Sequence, residues 1–407
     1  MSLQNTPSSE RIHISFFGRR NAGKSSLVNR VTGQDLAVVS DVKGTTTDPV
    51  HKSMELLPLG PVVIIDTAGF DDDGELGASR VEKTLQVLRK TDIAVLVLDA
   101  TTGTTPVEES FIQNFKQHSI PYILVYNKAD LLENRGHFPE DNVPQTKDNE
   151  IYVSALTGEN IQQLKEMLAS MACSSEEEKH LVAHLLQRSD HVILVVPIDS
   201  AAPKGRLILP QQQVLRDVLD AGALATVVRD TELTKAFADL SAPPKLVITD
   251  SQAFAAVSAV TPEDVALTSF SILMANYKGN LKTAVKGATK LKSLRDGDTI
   301  LISEGCTHHR QCDDIGTVKL PKWLREYTGK ELSFTFTSGR EYPKDVTSYA
   351  LVVHCGGCML NEREMQYRYA ATTEQEIPIT NYGICIAYIQ GILKRSVSIF
   401  PDVYQLL

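Results

Sequence analysis

A short turn near the N-terminus has the composition of a phosphate-binding loop. It reads Gly18-Arg19-Arg20-Asn21-Ala22-Gly23-Lys24-Ser25 and lies between an apolar run and a helical pattern. Glycines allow main-chain N–H groups to wrap a phosphate at a helix N-terminus. In this pattern Lys24 reaches the β- and γ-phosphates, and the Ser25 hydroxyl binds Mg²⁺. The alternative is a chance glycine-rich turn between a strand and a helix.

Further motifs follow in the order that a GTP site requires. Asp66-Thr67-Ala68-Gly69 ends an apolar run, where the Asp66 carboxylate can orient Mg²⁺ and the Gly69 N–H can face a γ-phosphate. Asn127-Lys128-Ala129-Asp130 ends another, and the Asp130 carboxylate can accept two N–H bonds from guanine, which adenine does not offer. Ser154-Ala155-Leu156 adds a loop that can close over the base. Four motifs in order, each at a strand end, predict a GTPase.

Residues 11–170 resemble the translation-factor-class GTPases of the Era and TrmE type. The stretch Lys43-Gly44-Thr45-Thr46-Thr47-Asp48 resembles their switch I, which usually reads Gly-Thr-Thr-Arg-Asp. The match implies that Thr46 binds Mg²⁺, whereas Thr47 departs from the pattern by replacing Arg. Phe70 stands where Ras-like enzymes carry the water-positioning Gln, so we expect slow hydrolysis. Asn21 matches the loop Asn that ligates potassium in potassium-activated members, although the side chain can also brace its own loop.

The predicted nucleotide site combines these motifs. We assign GTP or GDP and Mg²⁺ to Gly18, Asn21, Ala22, Gly23, Lys24, Ser25, Ser26, Thr46, Asp66, Gly69, Asn127, Lys128, Asp130, Ser154, Ala155 and Leu156. The residues assigned to catalysis are Lys24, Thr46, Asp66 and Gly69.

Five of the six cysteines lie between Cys306 and Cys385, which suggests a metal site in the last hundred residues. The pattern is Cys306-Thr307-His308 and, further along, His354-Cys355-Gly356-Gly357-Cys358. Glycines between the last two thiols let both sulfurs converge on a metal. A tetrahedral zinc held by three cysteines and one histidine is one interpretation. An iron–sulfur cluster held by Cys306, Cys355 and Cys358 is the other, with His354, His308 or Glu304 as fourth-ligand candidates.

Alternating strand and helix patterns predict an α/β fold with mostly parallel sheets. We expect three domains: a P-loop GTPase domain at residues 1–173, a small α/β domain at 174–261 and an α/β cluster-binding domain at 262–407. Three short strands are expected in the middle domain, at residues 191–198, 225–228 and 246–249. Such a small sheet gains by burying its surface against a second copy of itself, so this domain is the expected dimer contact.

Composition excludes several classes of protein. The 407 residues are 42% hydrophobic and 22% charged, with 41 basic and 50 acidic residues and a net charge of −9. That balance argues against nucleic acid as the main partner. No apolar run approaches the roughly 18–20 residues that span a bilayer. The polar N-terminus has no signal-peptide pattern, so we expect a cytoplasmic protein with reduced thiols.

A GTPase followed by Cys-x-His and His-Cys-x-x-Cys resembles the HydF family of [FeFe]-hydrogenase maturation GTPases. The stretches at residues 199–207 and 304–316 agree, and the likeness spans about residues 11–400. The resemblance implies a homodimer with a [4Fe–4S] cluster. It also implies a GTP-hydrolysing scaffold or carrier that delivers a diiron precursor to the apo-[FeFe]-hydrogenase, with two radical-SAM maturases as upstream partners.

Two other functions remain in view. An RNA-modification or ribosome-assembly GTPase with a structural zinc domain would share the first 170 residues, but no basic, aromatic-interleaved strip supports it. An interaction switch without metal leaves the five clustered ligand residues unexplained.

Overall fold

The first sheet has six strands, and the predicted nucleotide motifs follow the carboxyl ends of its parallel strands, at one edge of the sheet. The computed structural model describes residues 6–34, 50–67, 69, 86–132, 148–175, 179–198, 207–305, 314–339 and 342–407. Its strand order is β2-β3-β1-β4-β5-β6, with every pairing parallel except β2 with β3. The strands are β1 Ile12–Gly18, β2 Val50–Leu56, β3 Gly60–Asp66, β4 Ile93–Asp99, β5 Tyr122–Asn127 and β6 Glu150–Tyr152. The helices are α1 Lys24–Thr32, α2 Pro106–Gln117 and α3 Ile161–Ser175.

Burial on both faces explains why these strands are continuous apolar runs. In β4, Ile93, Val95 and Val97 join one buried cluster, whereas the alternate residues Ala94, Leu96 and Leu98 join another. Side chains of a strand alternate between the two faces, so both faces must be covered by helices or loops. Parallel pairing then brings the carboxyl ends of β1, β3 and β5 to the same edge.

The chain divides into two compact units, Met1–Glu177 and Glu178–Leu407. The second unit holds two four-stranded parallel sheets, β10-β9-β7-β8 and β14-β13-β11-β12. The strands are β7 His191–Val195, β8 Leu224–Val228, β9 Leu246–Thr249, β10 Ala266–Ser269, β11 Thr299–Ser303, β12 Ser333–Thr337, β13 Leu351–His354 and β14 Ile379–Asn381. In each sheet the second strand lies on one side of the first and the third lies on the other, so both sheets have the same topology.

Helices connect the strands of the second unit. They are α4 Leu209–Asp220, α5 Leu233–Asp239, α6 Phe254–Val260, α7 Phe270–Tyr277, α8 Leu281–Thr289, α9 Leu320–Thr328, α10 Glu362–Thr373, α11 Tyr382–Ile389, α12 Leu393–Ser396 and α13 Pro401–Tyr404. Within the described ranges, none of the helices is long and apolar enough to cross a membrane.

The two sheets of the second unit share one buried core. Val192 and Ile248 of the first sheet belong to the same cluster of buried side chains as Leu301 and Val352 of the second. The first of these sheets also has a fourth strand, Ala266–Ser269, beyond the three that the sequence predicted and beyond residue 261. A deletion of residues 185–260 would test the expected dimer contact by removing it. Because the core is shared, the same deletion would also expose apolar surface of the second sheet.

Candidate functional site

The turn between β1 and α1 has the backbone conformation that a phosphate-binding loop requires. Asn21 has φ 62° and Gly23 has φ 82°, both in the left-handed region that favours glycine and asparagine. A Cβ atom at Gly23 would also collide with the side-chain amide of Asn127. Glycine is therefore required at position 23 by both backbone conformation and space, and α1 begins directly after it at Lys24.

Two groups predicted to hold phosphate and Mg²⁺ converge on the Asp66 carboxylate. The Nζ atom of Lys24 lies 2.6 Å from Oδ1 of Asp66, and the Oγ atom of Ser25 donates to its Oδ2 at 3.0 Å. Lys24 and Asp66 are 8% and 4% exposed, so this ion pair lies in a largely dry environment where electrostatic interactions are strong. The carboxyl end of β3 therefore meets the start of α1, as the motif order predicted.

The segment after β3 runs directly against the phosphate-binding loop. The hydroxyl of Thr67 donates to the carbonyl of Phe16 at 2.7 Å, which ties the end of β3 to β1. A Cβ atom at Gly69 would lie 3.0 Å from the backbone nitrogen of Arg20. Position 69 therefore has little room for a side chain, which suits a residue that would present its N–H group to a phosphate.

The predicted guanine site is held together by side chains of its own motifs. Asn127 donates to the carbonyl of Ala22 at 3.0 Å and accepts from the N–H of Ala155 at 3.0 Å, so it joins the phosphate-binding loop to the last motif. The Asp130 carboxylate accepts a hydrogen bond of 2.6 Å from Ser154, which fixes its orientation. Leu156 is 82% exposed.

Lys128, which has φ 63°, extends back to Asp99 at the end of β4, with a distance of 2.6 Å between Nζ and Oδ2. Burial raises the pKa of Asp99, but hydrogen bonds from Lys128 and Thr101 outweigh it, so that pKa lies below its usual value. The carboxylate therefore stays ionised and anchors the Lys128 side chain beside the guanine motif. Asp99 is a member of this network that sequence reasoning missed.

The predicted metal ligands that the structure describes, Glu304, His354, Cys355 and Cys358, lie at or just after the carboxyl ends of two adjacent strands. β11 and β13 pair in parallel, with Ser303 opposite His354, and the chain leaves them toward Cys306 and Cys355 respectively. This is the point at which the strand order of the sheet reverses, where open α/β sheets form ligand-binding crevices. The Sγ atom of Cys355 accepts N–H bonds from Gly305 at 3.1 Å and Gly357 at 3.3 Å. Gly305 immediately precedes Cys306 in the sequence, so the chain contacts the Cys355 sulfur one residue before this other predicted thiolate ligand.

Gly357 shapes the loop between the two cysteines. It has φ 61°, and a Cβ atom there would collide with the side chain of Met365, whereas a Cβ atom at Gly356 would meet nothing within 4 Å. Burial raises the pKa values of the Cys355 and Cys358 thiols, although each residue as a whole is only half-buried. A group that binds thiolates would overcome this preference for the protonated form.

His354 uses both ring nitrogens within the protein. Nδ1 lies 2.7 Å from the carbonyl oxygen of Cys355, and Nε2 lies 3.0 Å from a guanidinium nitrogen of Arg368. Burial and the Arg368 charge lower the pKa of His354 to about 3, so it is neutral and donates from Nδ1. The prediction of His354 as a fourth ligand therefore conflicts with this arrangement, because the Arg368 donor occupies its one lone pair.

Glu304 follows β11 and is 2% exposed. Its Oε1 atom accepts a hydrogen bond of 3.3 Å from the hydroxyl of Tyr382. The pKa of Tyr382 is raised mainly by burial and next by the negative charge of Glu304. Its hydroxyl therefore stays protonated and donates the hydrogen bond. Glu304 thus lies directly after the end of β11, two positions before Cys306 in the sequence.

Several predicted residues lie outside the described ranges: Thr46, Phe70, Cys306 and His308. Among the described residues, no group of three or more His, Cys, Asp and Glu side chains is arranged to hold a metal ion. Besides Asp99 in the guanine motif, three contributors near the predicted metal ligands were not revealed by the sequence: Lys278, Arg368 and Tyr382. Each acts on a partner 14 to 82 positions away in the chain, and no local pattern marks them.

Comparisons with known proteins agree with the two-unit organisation. The family pattern described as "50S ribosome-binding GTPase" matches residues 13–128, "Hydrogen maturase F dimerization domain" matches 181–279, and "Hydrogen maturase F tetramerization domain" matches 282–399.

Among curated relatives, "tRNA modification GTPase MnmE" of Nitrosomonas europaea is 32% identical over 40% of this chain and 35% of its own length. The protein of the same description from Thermosipho melanesiensis is 33% identical over 39% and 34%. The chain spans about a third of the length of these relatives. A solved structure of Aquifex aeolicus Era bound to GDP and aluminium fluoride is 21% identical, with a TM-score of 0.35, over 53% of this chain and 93% of that one.

Fold and family patterns together define a P-loop GTPase domain followed by two further α/β domains, as the sequence predicted. The two hydrogen maturase F patterns are consecutive and together cover more than half of the chain. The chain belongs to the hydrogen maturase F family.

Proposed function

We propose that this protein binds and slowly hydrolyses GTP, and that it carries a [4Fe–4S] cluster while serving hydrogenase maturation. The observation that best supports this is the pairing of two sites in one chain of the hydrogen maturase F family. One is the convergence of Lys24, Ser25 and Asp66, and the other is the Cys355 sulfur at the meeting ends of β11 and β13.

Guanine selectivity is assigned to Asp130, and the switch threonine on Mg²⁺ to Thr46. Hydrolysis is proposed to be faster with potassium than with sodium, because Asn21 lies at the exposed tip of the phosphate-binding loop in the left-handed conformation. An exposed amide at that position is free to turn toward a monovalent cation beside the phosphates.

The thiols near the C-terminus fit an iron–sulfur cluster. Iron–sulfur clusters are held by cysteine thiolates, and hydrogen bonds to sulfur tune them. Cys355 accepts two main-chain N–H bonds, and the positive φ of Gly357 lets the chain turn back so that Cys358 follows within the same loop. Cys306, Cys355 and Cys358 would hold the cluster, with His308 or Glu304 as the fourth ligand. When bound, the cluster would supply an iron that can meet an incoming diiron unit.

The proposed cargo is the diiron precursor, which the protein would deliver to the apo-[FeFe]-hydrogenase after two radical-SAM maturases have acted. We further propose a cytoplasmic homodimer that contacts its partner chain through β8. This edge strand exposes Leu224 and Val227, at 56% and 43%, and one of its sides has no neighbouring strand in the described sheet.

Nucleotide turnover and iron binding can be tested in the same preparation. Lys24→Ala should abolish GTP turnover while leaving the iron and sulfide content unchanged, because the two sites lie in separate compact units. Wild-type protein that binds ATP as well as GTP would refute the guanine assignment.

A tRNA-modification role with a structural zinc is the second candidate, favoured by the names of the curated relatives. Zinc instead of iron in anaerobically purified protein would support it. The relatives match only about two-fifths of the chain.

A further inference from the structure

Lys278 is a buried lysine beside the loop of the predicted cluster ligands. It directly follows α7 and is 5% exposed. Its ammonium group donates to the carbonyl oxygen of Gly357 and, at 2.9 Å, to that of Leu360. These carbonyls lie one residue before and two residues after Cys358, so a single side chain fastens both sides of that thiol.

Burying an ammonium group is expensive unless hydrogen bonds and charge interactions compensate it. Lys282, one turn further along the chain, shows the ordinary alternative: its side chain is 60% exposed and pairs at the surface with Asp402. Lys278 instead extends from the segment between the two sheets into the Cys355–Leu360 loop, a sequence separation of about 80 residues. These two hydrogen bonds therefore connect the end of α7 to the loop.

The charge of Lys278 also reaches the thiols. Its ammonium group donates to carbonyl oxygens on both sides of Cys358, so its positive charge lies close to that thiol and creates a local electrostatic field that favours anions. The same electrostatic field would act on any anionic group bound by the loop. Reduction of an iron–sulfur cluster adds one negative charge, and cluster charge and surroundings set its reduction potential.

We propose that Lys278 is a positioning residue of the cluster site, which holds the Cys355–Leu360 loop in its binding shape and favours the reduced cluster through its charge. This inference rests on the proposed cluster function. It adds a role for a residue that is not itself a ligand and that belongs to the segment linking the two sheets.

Two substitutions separate the hydrogen bonds from the charge. Lys278→Gln keeps a donor but removes the charge, and Lys278→Met removes both; Lys282→Met is the matched surface control. Each full-length protein would be reconstituted anaerobically with iron and sulfide, and analysed for metal content and circular dichroism. It would then be titrated with dithionite while the cluster is followed by electron paramagnetic resonance.

We expect Lys278→Gln to retain its iron with the reduced form disfavoured about ten-fold, which is 59 mV for a one-electron couple. Lys278→Met should bind less iron, and Lys282→Met should match the wild type. Wild-type iron content and potential in both Lys278 variants would overturn the proposal. If Lys278→Met does not fold, an unchanged potential in Lys278→Gln overturns the charge role. A wild-type protein without iron would instead refute the cluster function itself.

Discussion

At the scale of single residues, Asp130 is the residue to which the base preference is assigned in the proposed function. Its carboxylate is held by Ser154, and it should accept two N–H bonds from guanine. Asp130→Asn should lower the preference for GTP over ATP by about 10²-fold, because an amide presents one acceptor and one donor to a pair of donors. Competition binding with both nucleotides measures this. Asp239→Asn, an exposed change on α5, is the control, and an unchanged preference in Asp130→Asn would remove the residue from base recognition.

Asn21 is the second residue whose role can be isolated. We expect the wild type to hydrolyse GTP several-fold faster in potassium chloride than in sodium chloride at matched ionic strength. Asn21→Ala should abolish the difference while retaining nucleotide binding, because Lys24 and Ser25 are unchanged. Equal wild-type rates in the two salts would show that Asn21 does not bind the cation. Its side chain would then act only by stabilising the phosphate-binding loop.

At the scale of elements, the two adjacent glycines between Cys355 and Cys358 make a matched pair. Gly357→Ala places a Cβ against Met365 at a positive φ, whereas Gly356→Ala meets open space without that strain. We expect Gly357→Ala to cost about 1–2 kcal/mol of stability and to lower the iron content, and Gly356→Ala to resemble the wild type. Thermal unfolding and iron analysis of both variants test this. Equal behaviour would show that the loop shape does not govern cluster binding.

The β8 edge is the element at which oligomerisation can be tested. Val227→Lys places a charge on an exposed edge strand and should shift the protein toward smaller species in light scattering. Val260→Lys, on α6 and similarly exposed, is the control. These point changes replace a deletion of residues 185–260, which would also damage the core that the two sheets share. An unchanged mass for Val227→Lys would place the contact elsewhere.

Some elements could be predicted from sequence, and others could not. The apolar runs of β7 and β9 were predicted because burial on both faces leaves a continuous apolar pattern. β2 was missed because it is an antiparallel edge strand with a largely exposed, polar pattern, and β14 because it has only three residues.

The same contrast holds at the candidate sites. The nucleotide motifs are local, so their order sufficed to predict them. Lys278 and Arg368 were missed because their roles depend on partners that only the fold brings near. For His354, the residue type was consistent with a ligand, but the Arg368 hydrogen bond to its ring nitrogen arises from packing that no local pattern predicts.

At the scale of the whole molecule, a GTP site and a thiol site belong to separate compact units. The strand order of the second unit repeats, and the thiols lie where the order reverses in its second sheet. This arrangement places the proposed cluster site at the carboxyl ends of strands whose core is shared with the sheet that carries the proposed dimer contact. A carrier that must keep its cargo site intact while nucleotide state changes would benefit from that separation.

The most direct test is the metal content of anaerobically reconstituted protein, read together with its visible spectrum. We predict brown wild-type protein with about four irons and four sulfides per chain. Iron should be lost from Cys306→Ser, Cys355→Ser and Cys358→Ser but retained in Cys385→Ala, whose buried thiol lies in the core of the third sheet. Either colourless protein with one zinc per chain, or iron binding unaffected by the three serine substitutions, would contradict the account.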